Sequence, residues 1–356
     1  MELFGHSVEQ LRDVLTALGE PAYRAKQLYH ALYVERCRDF ATMSALPAAL
    51  RERLAGEATI TWPPITRRYR SADGTVRYVM SLDPGESTKP ATIEAVFMPE
   101  RSRQTICIST QAGCAVDCHF CLTATLGLIR NLTAGEMLGQ VLVALDDNRA
   151  ALAPQTNVVL MGQGEPLLNY EPVMAALRIL LDPQGVALSP KHVTLSTSGI
   201  VPGIERFSRE PIRPKLAISL NASNDEQRER IMPINRKWPL RDLLAACRAY
   251  PLRPWEKLTF EYVLLGGFND SVDDARRVVR LLDGLRCKVN LIPWNPGELP
   301  YQPPDAARTE AFRETLVSKG VPAFVRYSRG QDIMAACGQL ALLEATRGDS
   351  VVQITA

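Results

Sequence analysis

Between residues 157 and 327, short apolar runs alternate with segments whose apolar residues recur at helical spacing. Runs of this length and composition are typical of strands that are buried on both faces of a parallel sheet. The pattern predicts strands at residues 157–161, 192–195, 215–220, 258–265, 288–293 and 323–327. It predicts helices at residues 134–145, 171–181, 225–231, 240–249, 272–282 and 306–319. Six or seven β–α units without a glycine-rich dinucleotide fingerprint favour a complete or partial barrel over a doubly wound sheet.

The first hundred residues follow two other patterns. Helical spacing predicts three short helices, at residues 8–18, 23–33 and 47–56. Alternation of polar and apolar residues then predicts strands at residues 65–70, 75–82 and 92–97, with a hairpin turn at Asp73-Gly74. A small helical module therefore precedes a β-hairpin extension.

Two features of this extension have more than one interpretation. Residues 67–70 read Arg-Arg-Tyr-Arg, which suits phosphate contacts and base stacking but equally a charged, solvated edge strand. Glu94 alternates with apolar neighbours, and its spacing alone predicts an ordinary exposed carboxylate.

The domain boundaries follow from these changes of pattern. We expect a helical accessory domain at residues 1–55 with possible RNA contact, and a hairpin extension or linker at 56–99. The barrel then occupies residues 100–335, and a carboxyl-terminal tail occupies residues 336–356. No apolar run approaches the roughly 18 residues of a transmembrane helix. With no apolar helix left over, we expect a monomer.

Composition narrows this picture only slightly. The chain has 356 residues, of which 46% are hydrophobic and 22% are charged, with a net charge of +2 and a pI near 8.1. This mildly basic balance allows a nucleic-acid partner without arguing for one. Eight cysteines are too few for a disulfide scaffold in a chain of this length, so the sequence predicts a cytoplasmic protein.

The candidate chemistry begins with three closely spaced cysteines. Cys114, Cys118 and Cys121 form a C-x-x-x-C-x-x-C loop directly after a strand-like run at residues 105–110. Three thiolates on one loop can hold three irons of a 4Fe-4S cluster and leave the fourth iron open to a substrate. The alternative is a structural zinc site with His119 or a distant cysteine as fourth ligand. Because the chain has no second C-x-x-C-type pair, we favour the cluster.

Small and polar residues follow four of the predicted strands. They lie in the segments 162–166 (Gly-Gln-Gly-Glu-Pro), 196–199 (Ser-Thr-Ser-Gly) and 219–221 (Ser-Leu-Asn), and at Asn295. In a parallel barrel these strand ends meet at one rim, where binding sites are built. Singly, such residues are mostly turn formers. Together with the cysteine loop they indicate a site for a polar ligand that carries an amine, a carboxylate and a ribose.

Several stretches of the chain resemble one enzyme family. The cysteine loop followed by Gly-Glu-Pro resembles the radical S-adenosylmethionine superfamily. More narrowly, the chain is similar to the RlmN family, which methylates the C2 carbon of adenosine in 23S rRNA and tRNA. The matching stretches are residues 105–114, 130–136, 164–169, 195–199, 232–235 and 329–340. The resemblance implies an α/β fold with a partial (β/α)6 barrel of the TIM-like, radical SAM kind.

The resemblance also implies a reaction. Cys337 would take a methyl group from one S-adenosylmethionine, and a radical made from a second molecule at the cluster would activate that methyl group for addition to adenine C2. Glu94 would accept the C2 proton. Cys107 would then resolve the protein–RNA link by forming a disulfide with Cys337. Adenine C2 is electron-poor and cannot attack a sulfonium methyl group directly, which is why a radical is needed.

The same resemblance implies the remaining site residues and partners. Those that would bind S-adenosylmethionine are Gly164, Glu165, Ser196, Ser219, Leu220, Asn221 and Asn295. The family commonly has histidine at the position of Asn221 and methionine at that of Gln163. The implied partners are 23S rRNA, tRNA and a one-electron reductant such as flavodoxin.

Two other functions remain open at this point. A related family methylates C8 of adenosine in rRNA and confers antibiotic resistance, and it shares both Cys107 and Cys337. The intact strings at residues 164–169 and 335–340 favour C2. The third hypothesis is an iron–sulfur RNA-binding protein without catalysis, which would not cleave S-adenosylmethionine.

Overall fold

A computed structural model of the chain describes residues 1–82 and 91–340. Residues 341–356 of the predicted tail and residues 83–90 of the predicted hairpin extension lie outside the described residues. The α-helices are α1 Val8–Ala17, α2 Arg24–Tyr33, α3 Ala48–Glu57, α4 Ala134–Asp147, α5 Tyr170–Leu181, α6 Val201–Ser208, α7 Asp225–Ile231, α8 Leu240–Ala249, α9 Val272–Leu281 and α10 Ala306–Ser318.

Most strands join one large sheet. The strands are β1 Ile65–Arg70, β2 Val76–Leu82, β3 Ala91–Pro99, β4 Arg103–Cys107, β5 Gln111–Gly113, β6 Leu128–Asn131, β7 Gln155–Leu160, β8 Val193–Thr197, β9 Lys215–Ser219, β10 Leu258–Leu264, β11 Cys287–Pro293 and β12 Ala323–Val325. Ten of them follow the order β1-β2-β3-β4-β7-β8-β9-β10-β11-β12, and β5 pairs with β6 in a separate ribbon.

The ten-stranded sheet has an antiparallel part and a parallel part. β1 to β4 pair antiparallel, whereas β4 and β7 to β12 pair parallel. Each of the parallel strands from β4 to β11 is followed by at least one helix, which gives six β–α units before β12. Because β4 and β12 do not pair among the described strands, the barrel is open, and the predicted partial (β/α)6 fold is confirmed.

The predicted elements agree closely with the structure. All six predicted barrel strands are present and parallel, and the six predicted helices differ by at most two residues at either end. The pattern missed α6, which has only eight residues and contains Pro202 and Gly203 in its first turn. These residues weaken the helical signal, and only Ile204 and Phe207 bury large side chains there.

The start of α4 positions the cysteine loop. Thr133 caps α4 by accepting a hydrogen bond from the Glu136 N–H at 3.2 Å, and the Glu136 carboxylate accepts from the Thr133 N–H at 2.8 Å. The same carboxylate binds Arg130 of β6 at 2.6 Å. The strand that closes the cysteine loop is thereby fixed to the start of α4.

The helical accessory domain packs against the outer helices of the barrel. Tyr29 donates a hydrogen bond to Asp182 at the end of α5 (2.9 Å), and Arg36 pairs with Asp146 of α4 (2.9 Å). The apolar residues of α1 and α2 are continuous with the main core. None of the described helices combines the length and apolarity needed to cross a membrane.

Candidate functional site

The three cysteines lie on the loop between β5 and β6, at the carboxyl-terminal end of the barrel. Backbone contacts hold this loop in place. The Cys114 N–H donates to the Gly127 carbonyl at 2.9 Å, and the Trp294 indole N–H donates to the Phe120 carbonyl at 3.1 Å. All three cysteines line one cavity, here called the cofactor cavity.

The surroundings of these thiols fit an iron–sulfur cluster. The Val116 N–H donates to the Cys114 sulfur at 3.4 Å. Burial raises the pKa of Cys121, and the backbone N–H of Thr123 opposes this shift. Hydrogen bonds to sulfur are how proteins tune such clusters. Burial raises the pKa of Cys118, and the charges of the other two thiols raise it further. Loading iron would therefore displace protons from these thiols.

The alternative zinc site needs a fourth ligand, and of its two candidates only a distant cysteine, Cys337, lines the cofactor cavity. His119 is not on the wall of the cofactor cavity, and its imidazole lies 3.5 Å from the Asp117 carboxylate. Among residues 1–82 and 91–340, no three His, Cys, Asp or Glu side chains converge on one position for a metal ion.

Six of the seven predicted cofactor-binding residues line the cofactor cavity. They are Gly164, Glu165, Ser196, Ser219, Asn221 and Asn295. The seventh, Leu220, has a fully buried side chain in the main core, so that only its backbone faces the strand end. The sequence thus located the rim correctly, and the binding role of these residues stays a prediction.

Gly164 and Glu165 show why this turn has its sequence. Gly164 has φ +100°, and a Cβ there would lie 2.7 Å from the Gln111 nitrogen, so the turn admits only glycine. The Glu165 carboxylate accepts hydrogen bonds from the N–H groups of Ser198 (2.6 Å) and Leu167 (3.1 Å). Burial raises the pKa of Glu165, while these hydrogen bonds oppose the shift. Its remaining lone pairs can accept from a ligand amine.

Two predicted cofactor ligands already have protein partners. Asn221 adopts φ 55° and uses its side-chain oxygen to accept from the Val263 N–H at 2.9 Å. Asn295 donates to the Cys337 carbonyl at 3.2 Å and accepts from Gln331 at 3.1 Å. Asn295 therefore holds the segment that carries Cys337, a contact that sequence reasoning missed.

The segment around Cys337 is docked onto the cysteine loop. The Leu122 N–H donates to the Gly338 carbonyl at 2.8 Å, and the Thr123 hydroxyl donates to the Leu340 carbonyl at 2.6 Å. Gly338 adopts φ +79°, a conformation that glycine tolerates easily. Cys337 is an exposed residue between these contacts and lines the wall of the cofactor cavity.

Cys337 also lines a second cavity, here called the lumen cavity, which lies inside the barrel. Cys107, at the end of β4, is on the wall of this same cavity. The two thiols are near enough for the charge of Cys337 to raise the pKa of Cys107, although burial of Cys107 is the larger cause. All eight cysteines are free thiols in the structure. Residues 230 positions apart in sequence are thus brought to one wall.

Glu94 differs from the expectation based on spacing. Its side chain is fully buried rather than exposed, and its carboxylate lies 2.5 Å from the equally buried Arg77 guanidinium. β3 is buried on both faces, so alternation of residue types could not show which face meets solvent. Val96, two residues along β3, pairs in register with Cys107. Glu94 and Cys107 therefore share one face of the sheet.

Gln163 connects this buried pair to the tail. Its amide nitrogen lies 3.4 Å from the Glu94 carboxylate and 3.4 Å from the Leu340 carbonyl. The Ser109 hydroxyl, which accepts from the Gln163 N–H at 2.9 Å, donates to the Glu94 carbonyl at 2.7 Å. Gln163, which stands where the family commonly has methionine, thus contacts both Glu94 and the tail.

Sequence reasoning also missed Arg77 and Glu261. Glu261 lies in the middle of β10, lines both cavities and accepts a hydrogen bond from Asn290 at 2.9 Å. Burial raises the pKa of Glu261 to about 7. The sequence did contain a signal for Glu261, which is a charged residue within a mostly apolar strand. Such a residue is a candidate for a functional site because buried carboxylates cluster there.

The basic stretch on β1 is an edge strand rather than a stacking surface. β1 is the terminal strand of the sheet, and Arg68 and Arg70 pair with Asp147 at 3.0 and 3.6 Å. Tyr69 is buried beneath the Arg77 guanidinium, 4.2 Å from its ring centroid. Its ring is therefore not available to a base.

Comparison with known proteins gives a consistent result. The profile of the radical SAM superfamily matches residues 108–282, and that of the ribosomal RNA large subunit methyltransferase N-terminal domain matches residues 1–60. The crystal structure of a radical SAM methyltransferase from Sphaerobacter thermophilus superposes with a TM-score of 0.89. The two chains are 44% identical, and the match covers 96% of this chain and 99% of the other.

Two curated relatives are similar over nearly the whole chain. The dual-specificity RNA methyltransferase RlmN of Solidesulfovibrio magneticus is 48% identical, over 93% of each chain. The enzyme of the same description from Anaeromyxobacter dehalogenans is 46% identical, over 94% of this chain and 90% of its own. The chain described here belongs to the RlmN family of the radical SAM superfamily.

Proposed function

We propose that this chain methylates the C2 carbon of adenosine in 23S rRNA and tRNA, with Cys337 as carrier of the methyl group. The single observation that carries the proposal is the position of Cys337. It lies on the wall of the cofactor cavity and on the wall of the lumen cavity, where Cys107 also lies. A sulfur in this position can take a carbon on one side and deliver it on the other.

The residues present fit both cofactors. Cys114, Cys118 and Cys121 would hold a 4Fe-4S cluster, and the rim around Gly164 and Glu165 would hold S-adenosylmethionine. When bound, they supply the transferable methyl group and a 5′-deoxyadenosyl radical, using two molecules of S-adenosylmethionine per turnover. A one-electron reductant such as flavodoxin, and the reducing cytoplasm, complete the requirements. The chain would act as a monomer.

Cys337 has the first role among the protein's own groups. Cys337 is exposed as a residue, but its sulfur lies against the cavity walls, and this desolvation together with the Glu261 carboxylate raises the pKa of Cys337 to about 11. The thiolate must therefore form against its surroundings before it can take the methyl group. The thiol proton would leave, and the methyl group would pass from the sulfonium sulfur of S-adenosylmethionine to Cys337, giving a thioether and S-adenosylhomocysteine. Transfer of one hydrogen atom from the thioether methyl group to the 5′-deoxyadenosyl radical would then let the thioether carbon bond to adenine C2.

Glu94 and Cys107 complete the cycle. Once one electron had passed from the adduct to the oxidised cluster, Glu94 would accept the C2 proton, and Arg77 stabilises its carboxylate before that transfer. The Cys107 thiolate attacks the Cys337 sulfur, which breaks the bond between that sulfur and the RNA-bound carbon. The carbon takes a proton and becomes the methyl group of the product. The resulting disulfide returns to two thiols with two electrons and two protons.

An anaerobic assay of the reconstituted enzyme tests this proposal. The substrates are an rRNA fragment and tRNA, and nucleoside mass spectrometry separates C2-methyladenosine from C8-methyladenosine. We expect the C2 product from the wild type and none from Cys337→Ala. Cys107→Ala should accumulate a covalent protein–RNA adduct, because its resolving thiol is missing.

Three outcomes would contradict the proposal. Normal turnover by Cys107→Ala would remove this thiol from the reaction, and a C8 product would assign the chain to the other regiochemistry. Failure of the reduced wild type to form 5′-deoxyadenosine would indicate an RNA-binding protein without catalysis. Cys247→Ala is the matched control, because Cys247 is buried in α8 away from both cavities and should retain activity.

A further inference from the structure

The interior of this barrel is polar where a closed TIM barrel is packed with branched apolar side chains. Five uncharged polar residues, from β4, β7, β8, β10 and β11, line the lumen cavity: Thr105, Asn157, Thr194, Thr259 and Asn290. The cavity has a volume of about 470 Å³, within the ~300–1,000 Å³ of ordinary ligand sites. Its upper wall contains Cys107 and Cys337. The lumen is therefore a passage that leads to the two reacting sulfurs.

Five Lys and Arg side chains line the same cavity. Arg329 pairs with Asp73 at 3.2 Å, and we call the other four the cationic collar: Arg103, Lys215, Lys288 and Arg326. Arg103 and Lys215 are the first residues of β4 and β9, and Lys288 is the second residue of β11. These three positions lie at the amino-terminal end of the barrel, opposite the cysteine loop. Arg326 follows β12, and its guanidinium donates to Asn290 at 3.2 Å.

The collar holds more positive charge than nearby carboxylates neutralise. Arg103 pairs with Glu100 at 2.9 Å, but within the described part of the chain neither Lys215 nor Lys288 forms a salt bridge. Burial lowers the pKa of Lys215, and the charges of Lys288 and Arg103 lower it further. Burial and Arg326 do the same to Lys288, against the opposing charge of Glu261. Half-buried cations that repel one another destabilise the fold unless a bound anion neutralises their charge.

An exposed aromatic side chain lines the same cavity as these cations. Tyr327 lines the lumen cavity and is 72% exposed, the highest value among the exposed large hydrophobic residues described. It directly follows Arg326, whose guanidinium lies 5.6 Å from the Phe324 ring centroid. Exposed aromatic rings among cations are typical of surfaces that bind single-stranded nucleic acid, because bases stack on the ring while cations meet phosphates.

We propose that RNA enters the barrel at its amino-terminal end, with the cationic collar on the phosphates that flank the target nucleoside and Tyr327 stacked on a neighbouring base. The inference rests on the proposed function. The cofactor cavity occupies the carboxyl-terminal rim, so a nucleoside that reaches Cys337 through the collar meets the sulfur from the opposite side. The polar lumen offers hydrogen bonds to the base along this path.

Binding of a single-stranded RNA oligonucleotide to the anaerobically reconstituted enzyme tests the collar. Affinity is measured by fluorescence anisotropy over a range of salt concentrations. For Lys215→Gln/Lys288→Gln we expect the slope of log affinity against log salt to fall by about 1.4, since a single-strand contact contributes about 0.7. If the lines meet near 1 M salt, this equals roughly 25-fold weaker binding at about 0.1 M salt. Tyr327→Ala should weaken binding about tenfold without changing the slope.

Matched variants separate RNA binding from folding. Lys215→Arg/Lys288→Arg keeps both charges and should retain wild-type binding. Lys237→Gln removes an exposed lysine that precedes α8, on the side of the barrel away from the collar, and should leave the slope unchanged. The double glutamine variant should unfold at the same temperature as the wild type or higher, because it removes crowded cations. Lower affinity in a protein of equal stability would assign these lysines to RNA.

The outcomes distinguish this inference from the proposed function. If the wild type methylates RNA while the double glutamine variant keeps its affinity and salt slope, the entry path is wrong and the function stands. If the wild type makes no methylated RNA, the function itself fails. Binding of adenosine monophosphate with the same lysine dependence, and no gain from longer RNA, would show a mononucleotide site and overturn the inference.

Discussion

The cofactor cavity and the lumen cavity share the wall at Cys337, but their other walls are built differently. The cofactor cavity is formed by loops and strand ends, which offer cysteines, small residues and the hydrogen-bonded Glu165. The lumen cavity is formed largely by side chains within the strands and by cations at the opposite end. The cofactor cavity therefore suits a zwitterionic ligand held by backbone groups, and the lumen cavity suits a polyanion.

This difference explains how one chain can keep two reactions apart. In the proposed mechanism, Cys337 would accept the methyl group in the cofactor cavity, whereas addition to RNA, proton removal and resolution would use Glu94 and Cys107 on the other side. Leu340 of the tail, together with Ile333 and Ala335 just before it, forms a small apolar cluster with Cys107. The tail is therefore the partition between the cavities, and changes on either side should have separable effects.

The largest expected effect is on the cofactor side. Cys118→Ala removes one of three cluster ligands, so we expect loss of bound iron and sulfide and of all RNA methylation. Cys107→Ala belongs to the other cavity and should keep the full iron content. Iron and sulfide analysis, with visible absorbance, makes the comparison. Full iron in Cys118→Ala would break the assignment of the cysteine loop.

The next largest effect concerns the buried pair beneath the lumen cavity. Arg77→Met leaves the Glu94 carboxylate buried without its closest ion-pair partner, and we expect a loss of about 3–5 kcal/mol in the free energy of unfolding. The double variant Arg77→Met/Glu94→Leu should recover most of that stability but stay inactive. Chemical denaturation measures the first result and the RNA assay the second. An active double variant would remove Glu94 from proton transfer.

Glu261 lines both cavities and should give a pH-dependent effect. Its pKa is raised from 4.5 to about 7, so the folded state holds a proton that the unfolded state has already released. Between about pH 4.5 and 7 the wild type should therefore lose stability as the pH rises, by about 1–3 kcal/mol over the range. Glu261→Gln should lack this slope when unfolding is measured at several pH values. Parallel curves for the two proteins would contradict the buried, protonated state of Glu261.

The smallest effect tests the anchor of the tail. The Asp73 carboxylate accepts from the Gly330 N–H and from Arg329, both at 3.2 Å. Burial alone would raise the pKa of Asp73, but hydrogen bonds from Thr75 and Gly330 hold it well below its usual range. This contribution is present at neutral pH and is lost only as the pH falls below the ordinary range of an aspartate.

Asp73→Asn should weaken tail docking by about 1 kcal/mol, because the pair is partly exposed. We expect faster tryptic cleavage at Arg329 and slower RNA methylation with unchanged iron content. Asp283→Asn is the matched control, since Asp283 is exposed and lies far along the chain from the tail. Equal cleavage rates in both variants would show that the turn at Asp73 does not hold the tail.

Local pattern was sufficient for much of this protein. The spacing of Cys114, Cys118 and Cys121 and the alternation of strands and helices are short-range features, and each appears in the structure where the sequence predicted it. The polar strand ends followed from the same pattern, because parallel strands place their carboxyl ends at one rim. The pairing of Cys107 with Cys337 came from family resemblance, since no local signal connects them.

Only the tertiary structure determined which residues from distant parts of the chain lie next to each other. Glu94 looked exposed because alternation shows which residues share a face of a strand, but it does not show whether a second layer covers that face. Here the tail covers it, and Arg77 becomes the ion-pair partner of Glu94. The collar arises in the same way, since Lys215 and Lys288 meet only when β9, β10 and β11 pair in register. The sequence determined the elements and the chemistry of each strand end, while the register of distant strands determined which charges and thiols meet.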